Sequence, residues 1–276
     1  MPGGGPDDRV EEAAMASTAG GVTTEPGRLI GVIGACGGAG VSVVAACVAH
    51  GLRRGGERAT LVDLDAYAPG TDLLLGADGG RGARWPDLVE ARGEVDGTGV
   101  VAALPRWGVV PVLSGTAAGA PPDDDVVLDV CRGLVRAGET LVLDLPRPGA
   151  WGTATRRGAG TAAEAPGSDG LAVRTLLAGC DTVLLVVPLT LPATVGAGRV
   201  RDALRGAGVP DVRVVVRGPA PGAVDEDDVS AALGLPVVAA MGRDGGLARA
   251  VERGEGPAMS HRAVLGRFAA DVAAAL

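Results

Sequence analysis

The chain contains no lysine; all 25 of its basic residues are arginine. Chemistry that needs an amine, such as a Schiff base, a phosphate-loop lysine or a Tyr-x-x-x-Lys pair, is closed to it. Aromatic residues make up 2% of the chain against 47% for hydrophobic residues. The core must therefore be built from Val, Leu and Ala, and the rings that stack on single-stranded nucleic acid are nearly missing. Histidine occurs only at His50 and His261, and Cys36, Cys47, Cys131 and Cys180 show no Cys-x-x-Cys spacing, which argues against a zinc site. Free thiols without a signal-peptide pattern point to the cytoplasm. The most apolar stretch, 182–195, is too short for a bilayer span and carries Pro188 and Pro192.

The net charge is −8, and half of it lies in residues 1–27, which hold five acids and one arginine. The remainder is only mildly acidic, so no broad electrostatic capture of nucleic acid is expected. Residues 1–27 are Gly/Pro/acid-rich without an apolar period and read as a disordered tail. From residue 28 to 276 short apolar runs alternate with longer amphipathic stretches. The runs are 29–33, 60–63, 109–113, 140–144, 182–187, 212–216 and 237–240; the amphipathic stretches include 41–53, 123–137, 193–205 and 226–233. Such alternation, with strands apolar on both faces, predicts an α/β fold: a mostly parallel sheet of about seven strands flanked by helices. Residues 146–170 read as a mobile surface loop.

Ligands of parallel sheets bind beyond the carboxyl ends of the strands, so the informative loops follow residues 33, 63 and 144. The first reads GACGGAGVS. Gly34, Gly37, Gly38 and Gly40 allow tight turns, and the amides at the following helix start form an anion nest. The usual phosphate loop, G-x-x-x-x-G-K-[ST], places a lysine before its last hydroxyl; here Val41 precedes Ser42. The second loop carries Asp63 and Asp65, carboxylates that can hold a metal's water or align an attacking water. In the third, Asp144 ends a buried strand and suits an outer-shell magnesium ligand. A strand-end Asp can equally cap a turn. Gly34, Gly38 and Gly40 also fit the glycine pattern of short-chain dehydrogenases, but that chemistry needs a Tyr acid with a Lys four residues on, and the sole tyrosine is Tyr67.

Together, ACGGAGVS (35–42), LVDLDAYAPGTDLLLG (61–76), LVLDLP (141–146) and CDTVLLVVPLTLPATVGAGRV (180–200) resemble the MinD/ParA family of deviant phosphate-loop ATPases. Within it they resemble the CpaE/TadZ-like branch, which includes actinobacterial septum-site-determining proteins encoded beside Tad pilus and secretion genes. RGPAPG (217–222) and RDGGLARAVERGEGP (243–257) extend the likeness. The resemblance implies a nucleotide site of Gly37, Gly38, Ala39, Gly40, Val41, Ser42 and Asp63, with Mg²⁺ at Ser42 and Asp144. It leaves Asp65 and Asp144 as vestigial catalytic candidates.

The family's loop reads K-G-G-x-G-K-[ST], and its two lysines fall at Cys36 and Val41. The base-binding Asn expected after the 212–216 strand is replaced by Arg217-Gly218-Pro219. Each lost charge-assisted contact is worth roughly 1.5–3 kcal/mol, and transition-state charge depends on such groups. Arg53 and Arg54 lie about three turns along the helix, too distant to substitute. The expectation is a spatial regulator with little or no ATP hydrolysis, binding ATP or ADP with Mg²⁺ or nothing. Its implied partners are a second copy of itself, and a Tad/Flp-type secretion ATPase or division proteins at a pole or septum. The alternative is an ATP-dependent dimerising switch compensated in trans. The C-terminal stretch 259–276 places Leu265, Phe268, Val272 and Leu276 on one helical face. In MinD relatives such a helix binds membrane; here Arg262 and Arg267 are offset by Asp271, which favours docking on the core.

Overall fold

The computed structural model describes residues 25–65, 70–115, 123–148 and 170–276. Most of the expected acidic tail, most of the expected 146–170 loop and Tyr67 lie outside these residues. Eight strands form one sheet in the order β3-β4-β2-β5-β1-β6-β7-β8. They are β1 (Leu29–Gly34), β2 (Ala59–Asp63), β3 (Arg106–Trp107), β4 (Val110–Leu113), β5 (Thr140–Asp144), β6 (Thr182–Pro188), β7 (Val212–Arg217) and β8 (Val237–Met241). Seven are parallel and match the seven apolar runs. The eighth, β3, is a two-residue antiparallel addition to β4, too short to leave a periodic signal.

Parallel strands are covered on both faces, and the pleat divides their side chains between two cores. On one face Ile33, Val62, Leu141, Leu143, Val183, Leu185, Val214 and Val216 are buried. They pack with apolar residues of helices α4 (Asp124–Arg136), α5 (Leu171–Ala178), α6 (Leu191–Gly206) and α7 (Glu226–Leu233). Their neighbours Ile30, Val32, Leu61, Val142, Leu184, Val186 and Val215 point to the other face. There they meet α1 (Val41–Arg54) and α9 (Val264–Ala274). The shorter helices α2 (Thr71–Leu74), α3 (Gly97–Ala103) and α8 (Leu247–Glu252), with a 3₁₀ turn at Trp85–Leu88, complete the set among the described residues.

The C-terminal helix is docked on the core. Leu265, Phe268, Ala269 and Val272 are buried in the same cluster as α1. Gly51 of α1 makes the approach feasible, since a methyl group there would lie 2.1 Å from the Ala269 carbonyl oxygen. Arg28 Nη1 donates to Leu276 O at 3.0 Å and Arg213 Nη1 to Ala275 O at 2.5 Å, giving partners to carbonyls that a helix end leaves open. No helix among the described residues is long and apolar enough to cross a membrane.

Candidate functional site

Strand order places the three expected loops together. β1 lies between β5 and β6, with β2 beside β5, so the loops after Gly34, Asp63 and Asp144 open at one edge of the sheet. The glycine loop turns directly into α1. Gly38 (φ 71°) and Gly40 (φ 89°) adopt the left-handed conformation, which a side chain disfavours. Ala39 and Val41 pack into the α1 core, and Val41 also lies against Gly34; Cys36 is half-buried. Among the described residues, no protein acceptor receives the amides of Gly37, Gly38 and Gly40. The amides of the first turn of α1 are open by helix geometry.

Asp63 and Asp144 face each other across β2 and β5, in register, and each is 4% exposed. Asp63 Oδ2 accepts from the Thr71 amide at 2.8 Å, from Thr71 Oγ1 at 2.8 Å and from Ser114 Oγ at 3.2 Å. Asp144 Oδ2 lies 3.2 Å from the same Thr71 hydroxyl and is hydrogen-bonded by the Ser42 side chain. Burial raises the Asp63 carboxyl despite these donors. Burial, then the charge of Asp63, pushes Asp144 up to about 7. Two adjacent carboxylates without a cation cannot both ionise cheaply in a desolvated site. Asp65 is half-buried and its amide donates to Asp63 Oδ1 at 3.0 Å.

Two arginines reach this edge: Arg147, which no motif indicates, and Arg217, which the sequence shows only as the replacement of an expected Asn. Arg217, at the end of β7, donates from Nη1 to the Gly38 carbonyl at 2.8 Å. A methyl group on Gly40 would sit 3.3 Å from that nitrogen. Arg147, three residues past Asp144, lies 3.6 Å from where a methyl on Gly37 would be. The arginine nearer in sequence, Arg53, is committed elsewhere: its Nη2 binds the buried Glu139 at 2.6 Å, before the start of β5. A cavity of about 450 Å³ adjoins the loop, lined among others by Gly40, Arg217, Met241, Asp244 and Leu265.

The oxygen donors of Ser42 and Asp144 are hard ligands of the kind Mg²⁺ prefers, and a divalent cation beside Asp144 would relieve its repulsion with Asp63. The residues therefore fit the metal. They also fit phosphate, through open amides and nearby guanidinium groups. The chain has no asparagine or glutamine at all, so an amide reader for a nucleotide base is absent throughout, not only after β7.

No family model matches the chain. Uncharacterized proteins of Mycobacterium tuberculosis from two strains are each 36% identical over 242 residues. The match covers 87% of this chain and 61% of each relative. A ParA family ATPase from Chlorobium tepidum superposes with a TM-score of 0.68 at 14% identity, over 91% of this chain and 98% of that one. The septum site-determining protein MinD from Pyrococcus horikoshii, solved with Mg-ADP, gives 0.66 at 16% identity, over 89% and 94%. The chain has the MinD/ParA fold. On that fold the glycine loop, the paired carboxylates and Ser42 converge as the sequence led one to expect. What the sequence does not indicate is that Arg147 and Arg217 both reach the glycine loop. Arg217 directly follows the apolar run 212–216 and Arg147 lies three residues past the run that ends at Asp144, and those positions were the available signal.

Proposed function

We propose that this protein is a MinD/ParA-like spatial regulator that does not turn over ATP, acting in septum-site determination or in placing a Tad/Flp-type secretion machine. One observation carries the reading: the sheet, the cradle and the carboxylates Asp63 and Asp144 stand in place, while Cys36 and Val41 occupy the loop's two lysine positions. In this reading Gly37, Gly38, Ala39, Gly40, Val41 and Ser42 line the phosphate side and Asp63 braces it. Ser42 and Asp144 would hold Mg²⁺, which when bound would neutralise phosphate charge. Thr71 and Ser114 orient the carboxylates, and Asp65 donates its amide to Asp63 and stands as a vestigial catalytic candidate beside it. Leu191 and Val195, 68% and 60% exposed on α6, offer apolar surface for the protein contacts a scaffold needs. A second copy, a secretion ATPase or a division protein are the partners this reading implies, at the inner face of the membrane.

The test is phosphate release from ATP by the purified chain. Release at background level supports the proposal; release that disappears in Asp144→Ala overturns it. The alternative, an ATP-dependent dimerising switch, is favoured by Arg147 and Arg217 beside the loop. It requires the hydrodynamic mass to double on adding Mg-ATP, whereas the scaffold keeps one oligomeric state with or without it.

A further inference from the structure

Arg147 and Arg217 approach the glycine loop from opposite sides of β1. Arg147 comes from the β5 side and Arg217 from β7, one strand beyond β6. Neither is ion-paired with a carboxylate among the described residues. Arg217 uses one donor on the Gly38 carbonyl, and a guanidinium has five. Between the two lie the open amides of Gly37, Gly38 and Gly40. Among the described residues such a place combines positive charge without a carboxylate partner and amides without an acceptor, and its chemical complement is a multiply charged oxyanion. Gly40 keeps the arrangement open, because a side chain there would meet the Arg217 guanidinium and would be strained at φ 89°.

We propose that Arg147 and Arg217 are the cations of this loop, and that with its amides they clamp a polyphosphate group. The proposal rests on reading the loop as a phosphate cradle and assigns to two arginines the charge that Cys36 and Val41 do not supply. Arginine suits the task, since its planar fork binds two phosphate oxygens at once.

Calorimetric titration of the intact chain with pyrophosphate, ADP and ATP, each with and without Mg²⁺, tests it. The expected result is saturable pyrophosphate binding by the wild type. Arg217→Ala and Arg147→Ala each weaken it about 10- to 100-fold, the range of a charge-assisted contact. Arg217→Lys retains more affinity than Arg217→Ala, and Arg205→Ala, at the far end of α6, binds as wild type. Thermal melts of each variant confirm that the fold is kept. Equal affinity for pyrophosphate and ADP supports the clamp and assigns it a free polyphosphate; tighter ADP supports it and assigns a nucleotide. Absence of pyrophosphate binding, or alanine variants that bind as wild type, overturns the proposal. Phosphate release is followed in the same samples: turnover would overturn the non-hydrolysing reading and leave the clamp standing, and loss of binding does the reverse.

Discussion

Asp144 is a residue whose chemistry depends strongly on its surroundings. In the unfolded chain its carboxyl titrates near 4; in the fold, burial and Asp63 hold it at about 7. Between these values the folded state carries a proton that the unfolded state has released, so this group's stabilisation is complete below about pH 4 and lost as pH rises to about 7. In metal-free buffer Asp144→Asn should flatten the fall of melting temperature over that range. At pH 7.5 it should be more stable than wild type by roughly 1–3 kcal/mol. Parallel pH profiles for the two proteins would refute the assignment. Mg²⁺ should raise the wild-type melting temperature above pH 7 and leave the variant's unchanged.

At the scale of elements, the sheet edge opposite the site is tied by one buried acid. Glu139, 1% exposed, accepts from Arg53 at the end of α1 at 2.6 Å, from Arg58 at 2.9 Å and from Thr60 of β2 at 2.8 Å. Removing a buried partner leaves a desolvated charge unpaired, so Glu139→Ala should cost about 3–5 kcal/mol in chemical denaturation. A loss under 1 kcal/mol would show that water replaces the carboxylate. The α1–α9 contact gives a second expectation. Gly51→Val cannot be accommodated against the Ala269 carbonyl, so it should release α9, lower the melting temperature and increase binding of an apolar dye. Ending the chain after Pro257 should expose the same surface, and pelleting with anionic liposomes would then report whether that surface, rather than the intact chain, binds lipid.

For the whole molecule, the MinD/ParA fold at 14% and 16% identity shows how little of the sequence the architecture requires. Val- and Leu-rich strands buried on both faces, as β1, β2, β4, β5 and β6 are, and separated by amphipathic stretches, are covered by helices on two sides; the edge strand β8 is only partly buried. Those runs matched the parallel strands closely because continuous burial writes itself into consecutive residues. Helix ends shifted by a residue or two, and β3 left no pattern. The chain spans 61% of the length of its relatives, so which process it serves is a proposal about a larger arrangement. Its prediction is a constant hydrodynamic mass with and without Mg-ATP.

Glycine spacing and strand-end acids were sufficient to place the loop, Ser42, Asp63 and Asp144 at one edge, because each follows locally from an apolar run that stops there. The absence of lysine was equally plain from composition. The charge that now faces the loop was not. Arg147 and Arg217 lie about 110 and 180 residues from it in the chain, and only strand order brings their guanidinium groups onto Gly37 and Gly40. Packing also decided that Arg53 serves Glu139 instead. Local pattern specifies which residues form a strand or a turn; the long side chains that meet across neighbouring strands are set by register and sheet order, which no short window of sequence contains.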